Sequence, residues 1–369
     1  MWYKIKPLDT LFFRDGRPFS MGSETWAEPI FPPYPSTVYG AIRTWLIFER
    51  GSLKEFKEGK YEVELGTLTK KGNLSIKGPF IGLDNNLNFP VPFDFLKKKG
   101  APQSEKNNLF YIDYINKPEF FISDYPLERI LINKNDFEFE ESNEFLDIDS
   151  LKDYLMDNKK ILSFREKEEI FIREKKTGIK RSRKILSSEE GYLYRIPMIR
   201  LKEKVSLFLE IEGLNDYPKG GLIQIGGESK TAKIEKEENN NPLEILRGTD
   251  FKFENKIFKI YLATPAIFEN GWLPKWIDKV DFKGNYNNRI RLKLIACSTG
   301  KFKLIGGWDL ANKRPKPMYK AVPAGSVYYF KILDDVPAEK IKEVFHFKNI
   351  SDINPEEGFG LSFVGEVRE

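Results

Sequence analysis

Seven basic side chains occur within fourteen positions near the middle of this chain, and their chemistry is that of contact with phosphates. Only Glu174 opposes them between positions 171 and 184, so the stretch carries a formal charge of +6. Thr177 and Gly178 form a predicted turn between apolar residues, which indicates a basic hairpin or loop. Such a loop is either a solvated surface or an arm that contacts a polyanion. Its candidate phosphate contacts are Lys175, Lys180 and Arg181.

A second phosphate-binding pattern lies in residues 31–46, FPPYPSTVYGAIRTWL, where three prolines precede a predicted helix. Ser36 or Thr37 is expected to cap this helix, whose first amides and positive dipole end can hold an anion. Apolar residues recur behind the cap at helical spacing and predict a buried face, with Tyr39 and Arg43 on its flank. An ordinary capped helix that packs on a sheet explains the same pattern without a ligand.

Glycine pairs form a third pattern, at positions 220 and 221 and again at Gly226 and Gly227. Gly221 and Gly226 have the spacing of a nucleotide-binding phosphate loop, but Gly227 occupies the place of its essential lysine. Nucleotide hydrolysis is therefore not predicted. Paired glycines before a strand instead allow the backbone to approach a ligand or another strand closely, and Lys230 follows them in the sequence.

Two further groups of basic residues accompany predicted loops. Arg14 and Arg17 flank a turn at positions 15 and 16. We expect Trp308 and Asp309 to fix the second loop to the core rather than to contact a ligand. The positive residues that follow Trp308 are Lys313, Arg314, Lys316 and Lys320.

A single histidine and a single cysteine limit the catalytic chemistry available to the chain. A zinc site made by the protein needs several such ligands, and both Ser-His-Asp and Cys-His catalysis would depend on His346. His346 lies in a predicted short helix, where a structural histidine is the expected interpretation. Cys297 cannot form an internal disulfide and fits a reducing compartment. No catalytic residue, metal site or cofactor is predicted.

The length of 369 residues predicts two domains, and 40% apolar with 31% charged residues is typical of a soluble globular protein. A net charge of +5 is too mildly basic to indicate nucleic acid on its own. No apolar run approaches the roughly 18 residues of a membrane helix. The N-terminus lacks the apolar core of a signal peptide, so we expect a cytoplasmic protein without membrane contact.

The predicted elements indicate an α+β protein in which one arrangement occurs twice. After a linker at 237–242, the order strand, helix, strand, strand, helix, strand is that of a ferredoxin-like domain, with its first helix expected at GWLPKWI, 271–277. The first half follows the same order if residues 51–157 and the basic arm are insertions. We therefore predict domains at 1–240 and 241–369. The acidic segment 135–157 is expected to be a solvated face or a protein-contacting surface.

These motifs resemble the third Cmr subunit family of type III-B CRISPR effector complexes, within the RAMP superfamily. The resemblance covers nearly the whole chain, except for residues 51–157, which carry little of it. It implies two tandem ferredoxin-like, RNA-recognition-motif-like domains with a projecting, thumb-like basic β-hairpin at 164–195. It also implies that the turn at 226–228 is the glycine loop of the first domain and that Gly358, Gly360 and Gly365 belong to a glycine-bearing closing strand. The motifs that carry it are LDTLFFRDGRPF, PPYPSTVYGAIR, EEGYLYRI, GGLIQIGGES, LATPAIFENGWLP, IGGWDLANKRPKPMYKAVPAGSVYYF and GFGLSFVGE.

The resemblance further implies a non-catalytic subunit that binds the 5′ tag of the guide (CRISPR) RNA and links the large polymerase-like subunit to the backbone RAMP subunit. One alternative is a metal-independent endoribonuclease that matures guide RNA, which needs a general base near a 2′-hydroxyl. Another is a protein scaffold without RNA contact. The predicted RNA-binding residues are Arg14, Arg17, Ser36, Thr37, Tyr39, Arg43, Lys175, Lys180, Arg181, Gly226, Gly227, Lys230, Lys316, Gly358 and Gly360.

Overall fold

The computed structural model of this chain describes residues 1–14, 29–100, 108–158, 164–181, 188–238, 241–309 and 314–368. These residues form a mixed α and β protein, as the sequence predicts. The helices of the described part are α1 (Pro35–Arg50), α2 (Leu53–Lys57), α3 (Glu62–Leu65), α4 (Ile148–Leu155), α5 (Lys167–Ile170), α6 (Glu244–Arg247) and α7 (Ala338–Phe345). Its strands are β1 (Trp2–Pro7), β2 (Ser75–Leu83), β3 (Asn86–Pro90), β4 (Phe95–Lys98), β5 (Leu109–Tyr111), β6 (Asp113–Asn116), β7 (Arg129–Ile132), β8 (Phe139–Glu141), β9 (Phe145–Asp147), β10 (Phe164–Arg165), β11 (Phe171–Arg181), β12 (Ser188–Leu201), β13 (Val205–Glu212), β14 (Gly220–Gln224), β15 (Thr231–Lys236), β16 (Ile257–Leu262), β17 (Lys283–Tyr286), β18 (Ile290–Ser298), β19 (Lys303–Ile305), β20 (Trp308–Asp309), β21 (Arg314–Pro315), β22 (Tyr319–Ala321), β23 (Val327–Ile332), β24 (Lys348–Asn349) and β25 (Leu361–Glu366).

The chain divides into two compact units, and neither is continuous in the sequence. Unit 1 consists of Met1–Asn85, Glu168–Asn239 and Leu304–Tyr319. Unit 2 consists of Asn86–Lys167, Asn240–Lys303 and Lys320–Glu369. One boundary falls inside the linker at 237–242. Residues 86–167, however, group with the C-terminal part of the chain, whereas the sequence analysis assigns them to an insertion in the N-terminal domain.

Unit 1 contains antiparallel strands in the order β2-β13-β1-β15-β14. Helix α1 packs on these strands, because Val38, Ile42 and Leu46 recur every four residues and are fully buried. Trp45 on the same face makes an edge-on contact with Tyr3 of β1, with ring centroids 6.0 Å apart. Strand β2 is integral to this sheet, so the expected insertion at 51–157 does not describe that segment.

Strands β11 and β12 form an antiparallel pair in unit 1, from Phe171 opposite Leu201 to Ile179 opposite Leu193. The register then shifts, which is typical of a β-bulge. The base of the pair is attached to the N-terminal segment, because the backbones of Leu11 and Ile199 exchange hydrogen bonds of 2.7 and 2.8 Å. Five basic residues of the predicted arm therefore lie on a paired strand: Arg173, Lys175, Lys176, Lys180 and Arg181.

Unit 2 contains antiparallel strands in the order β17-β18-β23-β16-β25-β24, and helices α4 and α7 pack on β25. Strands β16, β18, β23 and β25 and helix α7 occur where the sequence predicts them. The helix expected at 271–277 is wrong. Pro274 interrupts that segment, and its backbone instead forms isolated bridges from Asn270 to Leu273 and from Ile277 to Gly284.

A buried carboxylate explains why residues 86–167 belong to unit 2. The side chain of Asp94 accepts hydrogen bonds from the hydroxyls of Tyr154 and Tyr329, at 2.7 and 2.6 Å. Asp94 is completely buried, and its burial raises the pKa of its carboxyl group. Because Tyr329 belongs to β23, this contact joins the middle of the chain to the sheet that the C-terminal part forms.

The acidic segment 135–157 is partly internal, and the expectation of a wholly solvated or protein-contacting surface is wrong for two of its residues. Glu144 is buried and forms an ion pair with Lys97. Asp157 is buried and lies 3.2 Å from the ammonium group of Lys259. Each of these buried carboxylates is paired with a lysine, because a buried charge without a partner of opposite sign is costly.

None of the helices in the described part of the chain combines the length and the apolar content needed to cross a membrane.

Candidate nucleic-acid interface

Three segments of unit 1 meet at a glycine turn, and we call the residues that they contribute the turn cluster: Asp9, Phe12, Glu174, Lys176, Arg200 and positions 226–230. The amide of Gly227 donates a 2.9 Å hydrogen bond to the carbonyl of Phe12. Lys176 on β11 lies 3.4 Å from the carboxylate of Glu228. The N-terminal loop, the turn and the paired strands β11 and β12 are thereby brought together.

The two glycines of the turn allow it to lie directly against the N-terminal loop. Gly226 has a φ of 78°, and a Cβ atom there would stand 2.5 Å from the carbonyl oxygen of Phe12. A Cβ atom at Gly227 would stand 2.9 Å from the ring of the same residue. Another group approaches the backbone of the turn closely, which explains why glycine is required there, as the sequence predicts. That group belongs to this chain and not to a ligand.

Ion pairs organise the charges of the turn cluster. Lys230 donates a 2.9 Å hydrogen bond to Asp9 and lowers the pKa of that carboxyl group to about 2. Arg200 contacts the same aspartate at 3.2 Å and also donates to Glu174. Lys230 therefore has a carboxylate partner inside the protein. Lys175 and Lys176 present exposed side chains on β11.

The sequence analysis missed several members of this cluster. Asp9 and Phe12 lie in the motif LDTLFFRDGRPF and Glu174 lies in the basic stretch, but neither these residues nor Arg200 were predicted to belong to a site. Arg200 reaches Asp9 across 191 positions and Glu174 across 26. These contacts become apparent only once the pairing of β11 with β12 is known. The register of that pairing is not encoded at any single position in the sequence.

The start of α1 differs from the prediction. The helix begins at Pro35, its N-cap is Tyr34, and no side chain caps it. Ser36 and Thr37 lie in the first turn, so the predicted cap is wrong. Proline is favourable at a first helical position because its missing N–H would have had no helical partner. The amide of Thr37 donates to the carbonyl of Tyr34 at 3.0 Å, so it is occupied within the protein.

Tyr39 and Arg43 make internal contacts. Tyr39 is only 3% exposed, and a base therefore has no access to its ring. Arg43 donates to the carbonyls of Leu65, at 2.7 Å, and Thr67, and its guanidinium lies over the ring of Phe56. These contacts attach α1 to the segment that follows α3.

Gly358 and Gly360 are buried, and both donate their amides to carbonyls of this chain. The acceptors are Pro355 at 3.0 Å and Pro265 at 2.7 Å. Backbone contact with RNA at these two amides is therefore an expectation that the structure contradicts. A Cβ atom at Gly360 would stand 2.5 Å from the amide nitrogen of Ser351, so this glycine serves internal packing.

The remaining predicted residues divide into two groups. Lys316 and Arg14 are exposed. Arg17 lies outside the described residues, and the side chains of Lys180 and Arg181 also lie outside the described part, although their backbone belongs to β11.

Residues 3–367 match the protein family described as CRISPR-associated protein (Cas_Cmr3). The chain belongs to this family. A relative, the CRISPR system CMR subunit Cmr3 of Saccharolobus solfataricus (strain ATCC 35092 / DSM 1617 / JCM 11322 / P2), is 24% identical over 346 residues, which cover 91% of this chain and 88% of the relative. The family resemblance drawn from the sequence motifs is confirmed.

Solved structures have the same fold as this Cmr3 family member. A chain of type III-B Cmr-beta bound to cognate target RNA and AMPPnP aligns with a TM-score of 0.52 and 18% identity, covering 89% of this chain and 86% of that one. A chain of type III-B Cmr-beta bound to cognate target RNA gives a TM-score of 0.51, with 18% identity and the same coverage.

His346 occupies a structural position in this Cmr3 family member. Its Nδ1 accepts a 3.1 Å hydrogen bond from the amide of Val364, so Nε2 carries the proton and donates to the carbonyl of Leu246 at 3.1 Å. The side chain is buried, and burial lowers the pKa of the imidazole to about 4. An imidazole with both nitrogens occupied inside the protein is not placed to act as a base on RNA.

The single histidine allows a direct test of this environment. We expect its Cε1–H resonance to titrate near pH 4 instead of near pH 6.5, because the buried ring resists protonation. Stability should consequently fall as the pH drops from about 6.5 towards 4, since the unfolded chain binds this proton and the folded chain does not. Nuclear magnetic resonance measures the midpoint, and His346→Gln, which cannot titrate, is the control for the stability profile. A midpoint above pH 6 would contradict the buried neutral ring.

Proposed function

We propose that this chain is a non-catalytic subunit of a type III-B CRISPR effector complex. It binds the 5′ tag of the guide RNA and links the large polymerase-like subunit to the backbone RAMP subunits. The family match over residues 3–367 supports this assignment, and so does a fold similar to a chain of Cmr-beta bound to target RNA. The observation that carries the RNA-binding role is the placement of the exposed Lys176 beside the glycine turn, with Lys175 exposed at the neighbouring position of β11.

Each unit is, in this proposal, a modified ferredoxin-like domain. Four strands of unit 1 have the order β2-β13-β1-β15, which is second, third, first, fourth along the chain. Unit 2 repeats that order with β18-β23-β16-β25. Unit 1 keeps a helix between its first and second strands, as α1, and unit 2 keeps one between its third and fourth, as α7. The strand order therefore supports a doubled fold in which each unit has lost a different helix.

The turn cluster is suited to the sugar-phosphate backbone of a single strand. Glu228 and Ser229 have positive φ angles of 56° and 51°, and successive turn amides of this kind form concave sites for anions. The ammonium groups of Lys175 and Lys176 add charge without base specificity. Arg14 and the basic residues Lys180 and Arg181 extend this surface in the proposal, whereas Tyr39, Arg43, Gly358 and Gly360 have internal roles.

The non-catalytic assignment is supported by the placement of the chain's only histidine. Metal-independent ribonucleases commonly use histidine as the base, and His346 is held in the interior by Val364 and Leu246. Within the described residues, no three His, Cys, Asp or Glu side chains are grouped so that they could hold a metal ion.

Charge reversal on β11 tests the RNA-binding role. We expect Lys175→Glu, Lys180→Glu and Arg181→Glu together to weaken binding of the guide RNA recovered from the native complex. The slope of log affinity against log salt should fall by about 2, because each lost phosphate contact on a single strand accounts for about 0.7. Affinity would be measured by fluorescence anisotropy across a salt series.

A matched control separates a local effect from a change in net charge. Lys54→Glu, Lys57→Glu and Lys70→Glu change three exposed lysines of unit 1 and alter the net charge equally. This variant should keep the wild-type slope. If the two triple variants lost RNA affinity equally, the assignment of the phosphate contacts to β11 would be wrong. Cleavage of the repeat RNA by the isolated chain would instead favour the endoribonuclease.

A further inference from the structure

Trp308 lies on the surface of unit 1 with 56% of its side chain exposed. It occupies the short antiparallel pair of β20 and β21, where it stands opposite Pro315, and Asp309 stands opposite Arg314. The expectation that this tryptophan fixes the loop to the core is therefore wrong. Burying an aromatic side chain is favourable by a few kcal/mol, so an exposed indole on a paired strand suggests a ligand that covers it.

Basic residues follow Trp308 in the sequence, and one of them is hydrogen-bonded to the residue that precedes this tryptophan. The amide of Lys316 donates a 2.9 Å hydrogen bond to the carbonyl of Gly307, the residue before Trp308. A Cβ atom at Gly307 would stand 3.5 Å from Cδ of Lys316, so the aliphatic part of the lysine passes beside the glycine. Arg314 is also exposed.

The charge of the whole segment has one sign. Between positions 301 and 320 there are six Lys or Arg residues and one acidic residue, Asp309, which gives +5. This equals the formal net charge of the entire chain. A concentration of positive charge does not help to bind an apolar protein surface. A single-stranded nucleic acid carries flat bases, which stack on an indole, together with phosphates, which attract basic side chains.

A second exposed aromatic ring in unit 2 has the same combination. Phe302 is 55% exposed, and the ammonium of Lys320 lies 4.9 Å from the centre of its ring. The ring and the cation of this pair come from the two ends of the basic segment, positions 302 and 320.

We propose that Trp308 is a base-stacking residue for single-stranded RNA, with Arg314 and Lys316 contacting the phosphates on either side of the stacked base. This inference rests on RNA binding by the chain, and it assigns to Trp308 a contact that the turn cluster does not provide. Stacking on an aromatic ring tolerates any base, so Trp308 would hold a nucleotide in place without reading its identity.

The experiment compares two RNA probes on the full-length chain. One is a fluorescent 12-mer of adenosine, and the other is a 12-mer of the same backbone with abasic positions. We expect Trp308→Ala to weaken binding of the adenosine probe about tenfold and to leave the abasic probe unchanged. Trp308→Phe should restore most of the affinity, because a benzene ring still stacks. Phe48→Ala removes another exposed aromatic ring of unit 1, on α1, and should have no effect.

The outcomes separate this inference from the proposed function. Wild-type affinity of Trp308→Ala for the adenosine probe would overturn the stacking role, even if charge reversal on β11 still weakened binding. Equal losses for both probes would also overturn it, because the contact would then be to the backbone. If neither Trp308→Ala nor the charge reversal on β11 changed the affinity for RNA, the proposal that these surfaces bind RNA would itself be wrong. Loss of a protein subunit from the complex with unchanged RNA affinity would assign Trp308 to protein docking instead.

Discussion

Replacing Lys259 by methionine should lower the free energy of unfolding by about 3–5 kcal/mol, the usual cost of breaking a buried ion pair from one side. The ammonium of Lys259 lies 3.2 Å from Asp157, and the two side chains are 1% and 2% exposed. It also lies 3.8 Å from the centre of the Tyr154 ring. Without the cation, the carboxylate of Asp157 stays buried and keeps a 2.9 Å hydrogen bond from the amide of Arg368, which carries no full positive charge.

Chemical denaturation followed by circular dichroism measures this loss. Lys256→Met is the matched control, because Lys256 pairs at 3.1 Å with Asp335, whose side chain is 99% exposed. Exposed pairs contribute little, so the control should remain within about 0.5 kcal/mol of the wild type. Adding Asp157→Asn to Lys259→Met should recover much of the stability, since the orphaned charge disappears. A double variant less stable than Lys259→Met alone would contradict this explanation.

The same ion pair shows why part of the fold is invisible in the sequence. Asp157 and Lys259 are 102 positions apart, and Asp94 and Tyr329 are 235 apart. Neither contact leaves a periodic or compositional signal. A run of acidic residues predicts a solvated surface because most such runs are solvated. The burial of Asp157 depends on Lys259 in β16, and the membership of residues 86–167 in unit 2 depends on contacts such as that of Asp94 with Tyr329 in β23.

The sequence patterns correctly predicted the strands whose formation depends mainly on neighbouring residues. The strands β16, β18, β23 and β25 carry continuous or alternating apolar residues bounded by proline and glycine, and they form where expected. The segment at 271–277 has a similar apolar content, but Pro274 and a hydroxyl from Tyr328, which donates to the carbonyl of Trp272 at 2.6 Å, favour an irregular path. Tertiary contacts there override helical spacing.

The sequence predicted some residues of the candidate site, but it did not predict their geometry. Glycine pairs indicate that something approaches the backbone, and at Gly226 the approaching group is the carbonyl of Phe12. The sequence cannot distinguish that partner from RNA. Arg43 has the residue type and position expected beside a helix start, yet its donors are directed to the carbonyls of Leu65 and Thr67. Only a basic residue with an exposed side chain can contact a ligand. The packing of the folded chain determines which side chains are exposed.

Gly360→Ala should be among the most destabilising single substitutions in unit 2, with a loss of about 2–5 kcal/mol. Gly360 has a φ of 71°, where a Cβ atom costs about 1–2 kcal/mol by itself. The new atom would also stand 2.5 Å from the amide nitrogen of Ser351, and relieving such overpacking costs a further 1–3 kcal/mol or so. The backbone of Ser351 cannot yield easily, because its hydroxyl bonds the amide and the carbonyl of Ile267 at 2.9 and 3.0 Å.

Gly271→Ala isolates the two contributions within the same unit. Its φ of 78° is close to that of Gly360, but no atom lies within 4 Å of the position a Cβ would take. It should therefore lose only about 1–2 kcal/mol, the cost of the left-handed backbone. At roughly 2–4 °C per kcal/mol for a unit of this size, the extra overpacking cost should lower Tm by about 2–12 °C more for Gly360→Ala in a calorimetric scan. Equal shifts would mean that Gly360 is required only for its backbone angle, and the close approach of Ser351 would then have no energetic weight.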